Sequence, residues 1–331
     1  MNMFIIGAGF TKAVFPNAPL NRSLLSVIAT RRDDSGAVAL RERYKSDDIE
    51  IALTRLDAEI ASSQGQGEQP VKDLSDLRRR VEGELAEYFS AFYASKNLLT
   101  KSQWLGHLVD MAFTPGDVAV SLNYDCVLEG ALDCQAKWSP NGGYGSSLDN
   151  PLAGEHAPPK SPVVVLKIHG SSNFVIAPYA DKPSAYSVGF VFSECFFPRS
   201  AKNTHFGFGA GTGKSYLIAP SYVKIPTVQI TYLMLDALAA STEAENLIVI
   251  GSALRPEDSF LTVLVTNFLR QPSWRNRKII VVDPAARAIK DRLESYWGVN
   301  VSDQIFAIEG YLENSIDHLL KTISRDADAT R

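Results

Sequence analysis

Cysteine is scarce: the 331 residues contain three, Cys126, Cys134 and Cys195. They lie too far apart for a CxxC pair, which argues against a zinc ribbon and a disulfide framework and makes a reducing cytosol the simplest home. Charge of one sign is lacking too. A net charge of −4 gives no global basic field, so nothing advertises a nucleic-acid or anionic-membrane surface. No apolar run reaches membrane-spanning length, and the N-terminus opens on "MFIIGAG" without a basic stretch or a cleavage-site pattern. Internal repeats and low-complexity blocks are missing as well. A chain that is 45% hydrophobic and 21% charged remains ordinary for a globular cytoplasmic protein, long enough for one large domain or two smaller ones.

What is present is a set of short runs apolar on both parities: "MFIIG" (3–7), "VAVSL" (118–122), "VVVLKIHG" (163–170), "NLIVIG" (246–251), "KIIVVD" (278–283) and the shorter "QIFAIEG" (304–310). Such runs read as buried parallel strands. Helical patterns come after several of them, notably after 258 and after Pro284, so the expected class is α/β with a largely parallel sheet. Residues 37–113 break the rhythm with helical spacing and dense charge around a Gln/Gly-rich loop (64–70). They read as a helical insertion whose charges form a solvated face. Residues 136–161 and 176–214 read as loop-rich insertions, the first rich in Gly, Pro and Ser, and loops of that size are usually functional or mobile. The ending "SRDADATR" reads as a frayed tail.

Polar and glycine residues gather at the predicted strand ends. Gly7-Ala8-Gly9-Phe10-Thr11 begins like a dinucleotide-type phosphate loop, although Lys12 occupies the place of the third glycine of GxGxxG. "GAGTGKS" (209–215) is a decoy, since GxxxxGK[ST] requires glycine where Phe208 stands, and residues 216–226 read as strand or loop and not as a helix. Asn123-Tyr124-Asp125 ends the second run, and either polar side chain could simply cap the next helix. His169 precedes Gly170 where open α/β sheets bind ligands, and an imidazole there suits a general base as well as a structural cap. Gly251 and Ser252 end another run, with Arg255-Pro256-Glu257-Asp258 close behind, and Asp283 ends the next as an acceptor for sugar hydroxyls. One crevice at the carboxyl ends would collect them all.

The order GAG, NYD, HG, GSAL…ED, VVDP resembles the sirtuin (SIR2) family, in particular its prokaryotic SIR2-like branch associated with anti-phage defence. The resemblance covers 1–36, 114–135, 162–175 and 215–325 of a single domain and implies a Rossmann-like parallel sheet flanked by helices. It implies that Gly7, Ala8, Gly9, Phe10 and Thr11 hold the NAD pyrophosphate. Asn123 would bind the nicotinamide ribose and position water, Asp125 would hold the carboxamide or its loop, and His169 would be the catalytic base. Gly251 and Ser252 match phosphate and ribose contacts, and Asp283 stands where sirtuins commonly have an asparagine near the adenosine ribose. The family's usual four-cysteine zinc module cannot be built here; the insertion takes its general place, so no metal is expected. Leu122 replaces the glutamine that typically precedes the asparagine.

The resemblance implies an NAD⁺ glycohydrolase with NAD⁺ as substrate, releasing nicotinamide and ADP-ribose and depleting NAD⁺ in anti-phage defence. An NAD-dependent protein deacylase and a non-catalytic module sensing NAD or ADP-ribose stay open as alternatives. The chain ends soon after the sheet is complete, so control is expected from homo-oligomer assembly or from a separate regulatory protein, with no nucleic-acid or membrane partner.

Overall fold

A strand that is apolar on both parities needs cover on both faces, and helices supply it when the strands run parallel. The computed structural model describes residues 1–65, 67–92, 102–145, 148, 160–178, 186–191, 196–200, 214–223, 226–271, 276–297 and 299–324. Its main sheet consists of β1 (Asn2–Ile6), β2 (Val118–Ser121), β3 (Val164–Lys167), β7 (Asn246–Ile250), β8 (Lys278–Asp283) and β9 (Ile305–Glu309). All neighbours pair in parallel in the order β3-β2-β1-β7-β8-β9, the Rossmann-like arrangement. The chain therefore builds outward from β1 on one side, returns to the centre, and builds outward from β7 on the other. The topological switch point lies between β1 and β7, whose carboxyl ends carry Gly7 and Gly251.

The centre of the sheet is dry: Met3 to Ile6, Leu247 to Ile250 and Ile279 to Val282 are buried, and Phe4 stacks on Phe113 at 4.0 Å between ring centroids. Each such side chain contributes about 1.5–3 kcal/mol on burial. Among the described residues no helix is long and apolar enough to cross a membrane.

Between β1 and β2 run α1 (Ala8–Val14), α2 (Asn21–Ala29), α3 (Gly36–Tyr44), α4 (Ile49–Ser63), α5 (Glu68–Phe92) and α6 (Gln103–Ala112). Asp48 starts α4 by accepting from the amides of Glu50 at 3.0 Å and Ile51 at 3.4 Å. Pairs such as Arg32–Glu87 and Arg79–Asp76 lie on a solvated face, as expected, but one cluster of charges does not. Asp57 and Arg78 meet at 2.5 Å with side chains only 10% and 20% exposed, and Ser221 donates to Asp57 at 2.6 Å. These charges dock α4 and α5 onto the segment around Ser221 instead of facing water.

The run 163–170 does not continue as one strand. It breaks after Lys167; Ile168 and His169 turn the chain into β4 (Gly170–Pro178), which pairs antiparallel with β5 (Tyr186–Phe190) and β6 (Lys214–Leu217). The segment 176–214, read as loop-rich, thus holds β5 and the end of β4. The described part of 136–161 sends aromatic side chains into the core: Trp138 and Tyr144 are 1% exposed, and Trp138 stacks on Phe197 at 4.6 Å. Cys195, residues 209–213 of the decoy motif and the tail from 325 lie outside the described residues. The remaining helices are α7 (Val127–Cys134), α8 (Val228–Glu243), α9 (Ser259–Leu269), α10 (Ala286–Trp297) and α11 (Leu312–Ser324).

Candidate active site

At the switch point the turns after β1 and β7 press backbone on backbone. The Gly7 amide donates to Ile250 O at 3.0 Å and the Gly9 amide to Gly251 O at 2.9 Å. A Cβ on Gly7 would lie 2.5 Å from Gly251 O, one on Gly9 2.7 Å from Gly251 Cα, and one on Gly251 2.3 Å from Phe10 N. Close approach of two turns, and not only room for a ligand, is why glycine stands at these positions. The second turn is also strained: Leu254 holds φ +45°, in the left-handed region. Its amide donates to Ser252 Oγ at 3.3 Å, and Arg292 donates to Ala253 O from α10.

A cleft of about 360 Å³ opens over these turns, within the ~300–1,000 Å³ typical of ligand sites. It brings together Gly7, Ala8, Gly9, Asn123, His169, Gly251, Ser252 and Asp283 of the sequence-predicted set. Leu122, Pro220, Leu254 and Leu261 supply apolar wall. Three predicted residues stay out of it. Phe10 is a core ring, 1% exposed, and its amide donates to Gly7 O at 2.9 Å. Thr11 and Asp125, both buried, line a smaller adjoining cavity of about 50 Å³, which shares Ala8, Asn123 and Tyr124 with the cleft.

The NYD segment lies in the turn after β2, so the pleat of a strand does not orient it. Asn123 and Asp125 converge nonetheless, on the hydroxyl of Thr11: Asn123 Nδ2 donates to it at 3.0 Å, and it donates to Asp125 Oδ2 at 2.7 Å. Asn123 Nδ2 also donates to Gly7 O at 3.0 Å. Because a carbonyl can only accept, this contact fixes which end of the amide is nitrogen. With both amide protons directed at Gly7 and Thr11, Oδ1 is the atom through which Asn123 can serve a ligand. Asp125 Oδ1 accepts from the Val127 amide at 3.0 Å, the first of α7, from the position before the N-cap Cys126. Tyr124 donates to Ile218 O at 2.6 Å; burial, with Glu50, Glu82 and Asp258 nearby, pushes its hydroxyl well above the ordinary tyrosine value and keeps it a donor.

His169 sits in the turn between β3 and β4, held by Ile218 N donating to its carbonyl at 2.8 Å. Its Nε2 lies 3.2 Å from Asp258 Oδ2, the two side chains being 9% and 12% exposed. Asp258, at the start of α9, lines the same cleft, although the sequence offered no role for the Arg-Pro-Glu-Asp stretch that ends on it. Arg255 from that stretch also lines the cleft, as does Glu50 from the first turn of α4, and the two pair at 3.0 Å. Nothing local in the sequence marks Glu50; only the cap at Asp48 fixes where the first turn begins. Asp283 Oδ1 accepts from the Ala285 amide at 2.8 Å, which orients its carboxylate at the strand end. Among the described residues, no three His, Cys, Asp or Glu side chains gather as a metal ligand set.

No protein-family model and no curated protein matches the chain. Among solved structures it is similar to a mutant Sir2 homologue in complex with ADP-ribose, at 14% identity over 100% of this chain and 93% of that one, with a TM-score of 0.45. A Sir2 homolog–NAD complex gives 13% identity over 98% and 89%, with a TM-score of 0.45. A Sir2–p53 peptide–NAD⁺ structure gives 8% over 99% and 94%, with a TM-score of 0.39. Similarity at this level gives no residue a role.

Proposed function

We propose that this chain is an NAD⁺ glycohydrolase of SIR2-like type. The observation that carries the reading is that Asn123 and His169, from separate turns, line one cleft at the switch point of a parallel sheet, beside the Gly7–Gly9 turn and Asp283. The SIR2-like order of motifs in the sequence supplies the substrate class.

In the reaction the nicotinamide–ribose bond breaks with its electron pair going to the pyridinium nitrogen. Water adds to the sugar carbon, and the products are nicotinamide, ADP-ribose and one proton. Positive charge develops on the ribose as the bond lengthens. Asn123 Oδ1 accepts from the attacking water or a ribose hydroxyl and so orients it. With Nε2 of His169 facing Asp258, the neutral imidazole carries its proton there and Nδ1 is the basic nitrogen. His169 takes the proton released, and Asp258 stabilises the imidazolium and keeps the ring in place. Asp283 accepts from hydroxyls of the second ribose. Depletion of NAD⁺ in anti-phage defence, with control by self-assembly or a separate protein, is the biological role that fits this chemistry.

Chromatography of NAD⁺ with and without an acyl-lysine peptide tests the reading. Wild-type protein should release nicotinamide and ADP-ribose without peptide. Asn123→Ala and His169→Ala should lower the rate by a factor of about 10² to 10⁴, and Asp258→Asn less, with NAD⁺ binding kept. Release that requires the peptide would mean a deacylase; tight binding without release would mean a sensor.

A further inference from the structure

The cleft is poor in positive charge. Its carboxylates are Glu50, Asp258 and Asp283, and Arg255 is the one Lys or Arg among its described lining residues. The amides of Gly7, Gly9 and Phe10, which a phosphate loop would offer to an anion, already donate to Ile250 O, Gly251 O and Gly7 O. The α1 helix behind them has seven residues, too short to make much of its N-terminus. With those three amides engaged, the turn offers a diphosphate few donors beyond Ala8, and a cation beside it supplies what they do not. Ser252 packs against Gly7, where a Cβ would meet Ser252 Cα at 2.8 Å, and Arg255 stands three residues later in the same turn.

From this we infer that Arg255 is the diphosphate-binding residue of the cleft, and that Glu50 competes with the ligand for it. Arg255 Nη1 lies 3.0 Å from Glu50 Oε2, which also accepts from Asn21 Nδ2 at 3.3 Å. The Arg255 side chain is 40% exposed and that of Glu50 12%, so the pair is open to water on the arginine's side and its net worth is modest. A dianion with oxygens set for the guanidinium fork displaces it. Asn21 leaves Glu50 a partner when that happens. Glu50 rides on the first turn of α4, so the occupied cleft and the α4 contact are thermodynamically linked: whatever draws Glu50 away tightens the ligand, and the ligand loosens Glu50.

The inference deepens the dinucleotide reading and rests on it for the identity of the ligand, so the test carries a probe that does not. Titration calorimetry with ADP-ribose, adenosine and inorganic pyrophosphate is run on wild type, Arg255→Gln, Arg255→Lys, Glu50→Gln and the Arg255→Gln/Glu50→Gln double variant. Arg255→Gln should weaken ADP-ribose and pyrophosphate by about tenfold or more and leave adenosine within about twofold, with Arg255→Lys between. Glu50→Gln should tighten ADP-ribose by about two- to fivefold in wild type and not at all in the Arg255→Gln background. Equal ADP-ribose binding by wild type and Arg255→Gln overturns the assignment while leaving the dinucleotide reading standing. Pyrophosphate held through Arg255 without any ADP-ribose binding keeps the anion site and overturns the dinucleotide. Glu50→Gln weakening ADP-ribose in both backgrounds overturns the competition.

Discussion

Gly251 shows how one residue can be fixed twice over. Its φ of +62° lies where L side chains are strained, and a Cβ would approach Phe10 N to 2.3 Å, a backbone atom that cannot swing aside. Gly116 has φ +94° but no heavy atom within 4 Å of its would-be Cβ. The two separate backbone strain from collision. Gly116→Ala should cost about 1 kcal/mol in urea unfolding. Gly251→Ala should cost about 2 kcal/mol or more, because the turns after β1 and β7 must part to admit the methyl group. ADP-ribose binding should be lost only in the second variant. Equal costs would mean that the glycines of this site answer to conformation alone.

At the scale of elements, the parallel strands could be read from the sequence because a strand buried on both faces confines polar residues to its ends, and "NLIVI" and "KIIVVD" leave little else to conclude. The antiparallel sheet could not. Strand β4 begins Gly-Ser-Ser-Asn, and its polar residues are buried against partners distant in sequence: Ser171 donates to Tyr124 O at 3.2 Å and Asn173 to the Tyr144 hydroxyl at 3.1 Å. Hydrophobic patterning carries no trace of such pairs. For the same reason Asn123 and His169 stood out at strand ends, whereas Asp258 and Glu50 reach the cleft only through the tertiary fold. The charged helices misled in the opposite sense, since density of charge does not tell which charges are covered. Arg78 joins Asp57 and Glu82 across α4 and α5, and burial pushes the Glu82 carboxyl up. Arg78→Met should cost about 2 kcal/mol by leaving two half-buried carboxylates without their cation. Hydrogen exchange should quicken in α4, α5 and the segment near Ser221 while the amides of β1 and β7 stay protected. Uniform loosening of the whole chain would show instead that these helices do not open as a unit of their own.

At the scale of the whole molecule, the parallel sheet, the small sheet and the aromatic core meet on one buried ion pair. Lys167 at the end of β3 lies 3.1 Å from Glu129 on α7, both side chains at most 1% exposed, and it also donates to the Asp125 carbonyl beneath the NYD turn. Tyr144 donates to Glu129 Oε1 at 3.3 Å, and Glu129 Oε2 has no hydrogen-bond partner among the described residues. Burial alone would lower the Lys167 ammonium, but Glu129, together with Cys126 and Asp125 around it, outweighs that and holds it above its ordinary value. Burial pushes Glu129 up, offset only in part by Lys167. Lys167→Met then strands a buried carboxyl, and breaking such a pair costs about 3–5 kcal/mol, a large share of the ~5–15 kcal/mol that holds a domain folded. The sign of the pH dependence comes from Glu129. A carboxyl whose folded pKa is raised contributes stability that is complete below its unfolded value, near 4.5, and is lost as pH rises through the folded value. Without the ammonium that folded value moves higher still, so the Lys167→Met deficit should be larger at pH 8 than at pH 5. The Lys167→Met/Glu129→Leu variant, with no charge left to strand, should recover most of the loss and show no such pH dependence. Urea unfolding of the three proteins at both pH values measures this; a double variant as unstable as the single one would show that the Asp125 carbonyl, and not the carboxylate, is the partner that Lys167 is there to hold.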